Sequence, residues 1–230
     1  MGCVTFSRIS AAVATALVSA ASLLVAGQLP SASAAECPNV EVVFARGTGE
    51  PAGIGRVGQA FVDALQGLVP SKTVTSFAVD YPADYDFLNA ASGAQAAEAH
   101  IRATSQQCPS TKFVLGGYSQ GAAVMDMLIG IPPLGRKIGA VGDKFGDIGS
   151  AAPLSPDLAG SIAAIAVFGN PSTKFSIPAT AAPAPYGGRA IDSCKDGDPI
   201  CSRGRNPFAH SGYESSEFIQ QSAAFVANFV

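Results

Sequence analysis

The sequence has no tryptophan, only two histidines and three methionines, and a charged fraction of just 13%. It contains no basic run, and its net charge of −3 leaves no positive footprint of the kind that holds nucleic acid, so nucleic acid is not an expected partner. The scarcity of histidine also argues against a metal site. The five cysteines form no Cys-x-x-Cys pair, and two histidines do not complete a ligand set at the usual spacings. No metal and no organic cofactor are expected. Beyond residue 35 no apolar run is long enough to span a bilayer.

The first 35 residues differ from the rest. Arg8 precedes a small-residue apolar stretch over residues 9–26, followed by Gln28, Pro30 and Ser31-Ala32-Ser33-Ala34-Ala35. Ala32-Ser33-Ala34 satisfies the small-x-small rule of secretory processing, so residues 1–35 are read as a signal peptide cleaved after Ala34 or Ala35. An uncleaved anchor is the competing reading, disfavoured by the Ala/Ser-rich composition and the processing-like end. Residues 36–230 then form one domain, large enough for a full hydrophobic core. Cys3 leaves with the signal, and the even set Cys37, Cys108, Cys194 and Cys201 fits an oxidising, extracellular compartment. Three pairings of four cysteines remain open, although Cys194 and Cys201 bracket a short loop that a local bridge could close.

Along residues 36–230, short apolar runs alternate with longer amphipathic ones, the pattern of a parallel sheet covered by helices. Five strands are expected at 40–45, 74–80, 112–117, 162–169 and 189–194. Val57, Phe61, Leu65 and Leu68 recur at helical spacing, a second helix is expected over 90–106, and a third follows Ser119 and ends near Gly130. A last helix over 215–229 would set Phe218, Phe225, Val226 and Phe229 along one face against the sheet. Residues 131–161 are rich in Gly and Pro and read as a surface loop or a rim.

Gly117-Tyr118-Ser119-Gln120-Gly121 is a G-x-S-x-G pattern lying between an expected strand and an expected helix. That is the context in which such a serine stands on a strained turn above the sheet edge, as in α/β-hydrolases. In isolation the pentapeptide is weak, and Ser119 could merely cap the helix. A serine nucleophile needs a base, and in this fold the order along the chain is Ser, acid, His. His210 is the only histidine after Ser119. His100 lies on a helical segment upstream and reads as a surface or half-buried helix residue.

The acid must lie between Ser119 and His210. Asp126 is two turns along the helix after Ser119, and Asp143, Asp147 and Asp157 lie in the irregular stretch; Asp192, Asp196 and Asp198 remain near the last strand. The loop between Cys194 and Cys201 follows that strand's C-terminal end, where ligands bind in open α/β sheets, so Asp196 and Asp198 lead. For an oxyanion, the backbone N–H of Gln120 supplies one donor. Arg46-Gly47-Thr48-Gly49, after the first strand, offers a second from Thr48, unless it is a simple glycine turn.

These residues together resemble the cutinase family of secreted serine esterases, in particular its actinobacterial, mycobacterial cutinase-like branch. The likeness spans residues 36–230. It rests on Phe44-Ala45-Arg46-Gly47-Thr48, on Gly117-Tyr118-Ser119-Gln120-Gly121, on Cys194-Lys195-Asp196-Gly197-Asp198-Pro199-Ile200-Cys201, and on His210 ahead of the last helix. The resemblance implies Ser119 as nucleophile, Asp198 rather than Asp196 as acid, His210 as base, and Thr48 and Gln120 as oxyanion donors. It also implies the bridges Cys37–Cys108 and Cys194–Cys201, and an open site without a lid.

Two departures stand out: Thr48 occupies a position where fungal members usually carry Ser, and residues 131–161 look longer than the family's compact core. The expected enzyme is a monomeric, secreted carboxylic ester hydrolase with an α/β-hydrolase fold and a central five-stranded parallel sheet. It would act on small-molecule or lipid esters of short to medium acyl chains, with contact to a cell wall or lipid surface. Tyr85, Phe87, Leu88 and Phe208 are read either as an apolar rim for an acyl chain or as ordinary core. The alternatives are a lipase, a phospholipase, a cell-envelope acyltransferase, or a surface protein of the same fold without turnover.

Overall fold

Val40–Ala45 contains no break and no proline, and every residue in it is buried, as a central parallel strand requires. This strand, β1, pairs on one side with β2 (Val74–Ala78) and on the other with β3 (Lys112–Tyr118). β4 (Ile162–Phe168) and β5 (Ala190–Ser193) extend the sheet beyond β3. The order is β2-β1-β3-β4-β5 and all four pairings are parallel. The computed structural model describes residues 1–2, 36–131 and 149–230. The proposed processing segment and most of the 131–161 stretch, with Asp143 and Asp147, lie outside the described residues.

Among the described residues, four helices cover the sheet: α1 (Gly55–Leu68), α2 (Ala90–Gln107), α3 (Gln120–Leu128) and α4 (Glu217–Ala227). Strand parity assigns side chains to the two faces. Val43, Ala45, Phe113, Leu115, Ile165 and Val167 share a cluster with residues of α2 and α3. Val42, Phe44, Val114, Ala166 and Phe168 share another with α1 and α4. Residues 149–161 lie against α2: Ser155 donates to Glu98 (2.9 Å) and Asp157 pairs with Arg102 at 3.0 Å, while Leu154 and Leu158 are buried.

Of the expected α4 face, Phe218, Phe225 and Val226 pack against the cluster shared with the sheet, and Phe229 does not. Ile219, Ser222, Ala223 and Val226 are buried, whereas Phe218 and Phe225 flank that face and Phe229, 38% exposed, lies beyond the helix. The reason is space: the helix approaches the sheet through small residues, and Ser222 meets Ser193 of β5 at 3.1 Å. Leu68, the last residue of the expected α1 stripe, is 46% exposed.

Cys37 is bonded to Cys108 and Cys194 to Cys201. In the chain-entropy account the bridge spanning 71 residues contributes about 4 kcal/mol and the one spanning 7 about 2.5 kcal/mol. The short bridge closes the loop after β5. Because all strands run one way, the segments after β1, β2, β3, β4 and β5 emerge at one edge of the sheet, where residues distant in sequence meet.

Candidate active site

Ser119 stands between β3 and α3 with φ 56° and ψ −117°, a conformation that costs a non-glycine residue about 1–3 kcal/mol. Two glycines make the turn sterically possible. A Cβ on Gly117 would lie 2.2 Å from the carbonyl oxygen of Gly121, and one on Gly121 only 1.9 Å from that of Ala45. The Ser119 N–H is tied to Phe168 O at 2.9 Å, fixing the turn to β4. Ser119 occupies the N-cap position of α3, but its side chain makes no capping bond. Its Oγ lies 2.8 Å from His210 Nε2 instead.

His210 ends a short 3₁₀ turn, Pro207–His210, whose start is capped by Asn206 accepting from Phe208 N–H. Its Nδ1 lies 2.8 Å from Asp198 Oδ2. Tyr118 donates from its hydroxyl to the His210 carbonyl oxygen and its ring lies against the imidazole. On another side, Gly169 at φ +59° leaves room for the ring, since a Cβ there would come within 2.9 Å of His210 Cε1.

Asp198 is fully buried in the bridged loop. Besides His210, it accepts from Tyr213 hydroxyl (2.7 Å) on Oδ2 and from Ile200 N–H (2.7 Å) on Oδ1. Burial by itself would raise its pKa, but the hydrogen bonds from His210, Tyr213 and Ile200 outweigh it and hold the carboxyl below the ordinary range. Tyr213, itself wholly buried, also accepts from Lys195 N–H at 2.9 Å and so joins the loop after β5 to the histidine segment. Asp196 is exposed and makes no hydrogen bond to His210 among the described residues.

The turn after β1 is held from several directions. Arg46, 6% exposed, donates to Tyr81 O at 2.8 Å, Pro82 O at 3.2 Å and Glu50 O at 2.9 Å. The N–H groups of Gly47 and Gly49 are committed to Glu50 Oε2 (2.7 Å) and Ala83 O (2.7 Å). The Thr48 N–H has no protein acceptor among the described residues. Thr48 hydroxyl donates to Gln120 Oε1 at 3.0 Å, which joins this turn to the first residue of α3. At that position the Gln120 N–H has no intrahelical acceptor. Two backbone donors thus stand at the turns on either side of the junction.

The other candidates have other surroundings. His100 pairs with Glu41 at 2.9 Å and stacks on Phe77, a packing contact on α2. Asn170 Nδ2 donates to Asp126 Oδ1 (3.2 Å) and Asp192 Oδ2 (2.8 Å), and Asp192 also accepts from Thr173 and Ala179 N–H. Burial pushes the Asp126 carboxyl up to about 8; hydrogen bonds from Ser172 and Asn170 oppose this and the Asp192 charge adds to it. Because this folded-state value is raised, the folded protein holds a proton that the unfolded chain has released. The associated stability is full at acid pH, below the unfolded value, and is lost as pH rises through about 8. Asp126→Asn should therefore stabilise the protein relative to wild type increasingly with pH, seen as a larger gain in thermal midpoint at about pH 9 than at about pH 5. A pH-independent difference would contradict a neutral Asp126.

The aromatic candidates divide. Tyr85, Leu88 and Phe208 are 82%, 51% and 83% exposed on the segments after β2 and before α4, whereas Phe87 packs against the core. Residues whose contribution was not apparent from sequence include Tyr213, Tyr118, Gly169 and Glu50. The signals were faint: a tyrosine three residues after His210, the x of the G-x-S-x-G pattern, a glycine closing β4, and an acid three residues after Gly47.

A family model described as Cutinase matches residues 36–230. The chain is 45% identical over 221 residues to Phospholipase Culp4 of Mycobacterium tuberculosis, covering 96% of this chain and 91% of that protein. It is 39% identical over 207 residues to Carboxylesterase Culp1 of Mycobacterium bovis, covering 86% and 84% respectively. Among solved structures, the catalytic core of acetyl xylan esterase from Trichoderma reesei superposes with a TM-score of 0.68 at 28% identity, covering 85% of this chain and 100% of that one.

Proposed function

Since the chain belongs to the cutinase family of carboxylic ester hydrolases, we propose that it cleaves esters through an acyl-enzyme formed on Ser119. The observation that carries this reading is the unbroken chain from Ser119 Oγ through His210 to Asp198, with both links at 2.8 Å. Ser119 Oγ attacks the ester carbonyl while His210 Nε2 takes its proton. The oxyanion forms between the N–H groups of Gln120 and Thr48, dipoles already fixed by α3 and by the Arg46 and Glu50 contacts. His210 then protonates the leaving alkoxide, and water repeats the sequence to release the acid. Asp198 keeps the proton on Nδ1, so that Nε2 is free to accept.

The Thr48 hydroxyl already donates to Gln120 Oε1, so its contribution is to brace the two donor turns, with donation to the oxyanion coming from its N–H. Residues 1–35 are a signal peptide in this reading, the mature enzyme is secreted and monomeric, and the match beginning at residue 36 supports that boundary.

Substrates are esters of short to medium acyl chains, received along Tyr85, Leu88 and Phe208. The test is hydrolysis of p-nitrophenyl esters of increasing acyl length, in solution and as emulsions. Rates should be highest for the shorter esters and show no jump when an ester passes its solubility limit. A sharp interfacial jump would overturn the lidless reading and assign a lid to residues 131–161. A second reading, release of fatty acid from phospholipids, is favoured by the likeness to Phospholipase Culp4 and by the exposed apolar rim.

A further inference from the structure

We propose that residues 202–208 dock the enzyme on anionic phospholipid surfaces, Phe208 entering the acyl region while Arg203 and Arg205 meet the phosphates. Phe208 is held in this exposure by its turn. Asn206 N–H donates to Gly197 O (3.0 Å), Asn206 accepts from Phe208 N–H on its side chain and from Ala209 N–H on its carbonyl, and Ala209 is buried beneath. With Pro207 fixing the backbone at the start of the turn, an 83% exposed phenyl ring is presented outward on a rigid support. Such a ring in water gains nothing from the protein; its apolar area is recovered only against another apolar phase.

The charges select the kind of surface. Among the described residues, Lys72, Arg203 and Arg205 are the cationic side chains without a hydrogen bond or ion pair. Lys72 lies ahead of β2, at the opposite edge of the sheet from Ser119. Arg203 and Arg205 are both exposed and lie within seven residues of His210. No acid occurs between Pro199 and His210; Asp198 is buried and Asp196 is the exposed carboxylate nearest along the chain. The other rim segment carries Asp84 and Asp86, with Asp84 bonded to Asp86 N–H and the Asn89 side chain. Among the described residues, the cationic side chains at the site edge that make no hydrogen bond or ion pair are therefore those of the Phe208 segment. On a protein of net charge −3, a negatively charged surface attracts that segment and repels much of the remainder, so docking would turn the Ser119 edge towards the lipid. A nucleic acid would leave the three exposed apolar side chains without a partner.

The proposal extends the ester-hydrolysis reading by naming the surface on which the enzyme works, but its test does not depend on turnover. Binding of the purified Ser119→Ala protein is measured to vesicles of phosphatidylcholine alone and of phosphatidylcholine mixed with phosphatidylglycerol. Adding Arg203→Gln and Arg205→Gln should weaken binding to the mixed vesicles by about 30-fold, about fivefold for each charge, and barely alter binding to phosphatidylcholine. Raising the salt concentration should reproduce the loss. Phe208→Ser should weaken binding to both. Equal affinity of the Ser119→Ala protein for the two vesicle types, or an unchanged affinity in the double-arginine variant, would overturn the proposal. A failure of the hydrolytic reading would appear instead as an inactive wild type on soluble esters, with the vesicle preference intact.

Discussion

Ser119→Ala should lower kcat for ester hydrolysis by about 10⁶-fold, the scale of loss when a triad nucleophile is removed, with the fold retained. The expectation follows from the turn as much as from the hydroxyl. The backbone at Ser119 sits at φ 56° because Gly117 and Gly121 allow β3 and α3 to approach, and alanine meets the same backbone requirement as serine. What is lost is the Oγ at 2.8 Å from His210 Nε2. An organophosphonate should accordingly label the wild type once, on Ser119, and fail to label the variant, as read by intact mass and peptide mapping. Label on another residue, or activity retained in Ser119→Ala, would remove Ser119 from the reaction.

Asp198→Asn should lower kcat by about 10⁴-fold, while Asp196→Asn changes it by less than about tenfold. The two carboxylates are two residues apart, yet their surroundings differ in every respect that matters. Asp198 is buried and accepts from His210, Tyr213 and Ile200, so it is ionised and immobile. An amide there can present only one oxygen. If that oxygen serves Ile200, an NH₂ group faces His210 Nδ1 and favours the tautomer with the proton on Nε2, which cannot accept from Ser119. Asp196 is exposed beyond Gly197, whose φ of +84° turns the chain between them. Steady-state kinetics on one soluble ester, with thermal midpoints as a check on folding, decides the matter. The reverse ranking would transfer the acid to Asp196.

Several elements were legible because their signals are local. The Val-rich run at 40–45, interrupted by Glu41 alone, is β1 to the residue, and the Gly-x-Ser-x-Gly segment lies at a strand-to-helix junction because glycines at both ends leave no side chain to obstruct it. β3 includes Tyr118, one residue beyond the expected end, since its pairing with Phe168 persists. β2 ends at Ala78 rather than at residue 80, where the chain leaves the β1 register. Of the expected α4 face, Phe218, Phe225 and Val226 pack against the core and Phe229 lies outside it; counting large apolar residues passed over Ser222 and Ala223, because a close helix–sheet approach selects small residues.

The sequence by itself determined the αβ alternation, the elbow serine and the single downstream histidine, because periodicity, glycine placement and chain order are properties of neighbouring residues. Taken alone, the residues left Asp196 and Asp198 level, and Tyr85, Phe87, Leu88 and Phe208 undivided. Those choices depend on solvent exposure and on partners such as Tyr213 and Ile200, which the fold supplies. Spacing likewise carried no sign that Asp126 and Asp192 meet through Asn170 beneath the sheet edge. Only the tertiary structure decides such matters, because the energy of a charge or a ring is set by what replaces water around it, and in a parallel sheet those replacements come from segments tens of residues apart.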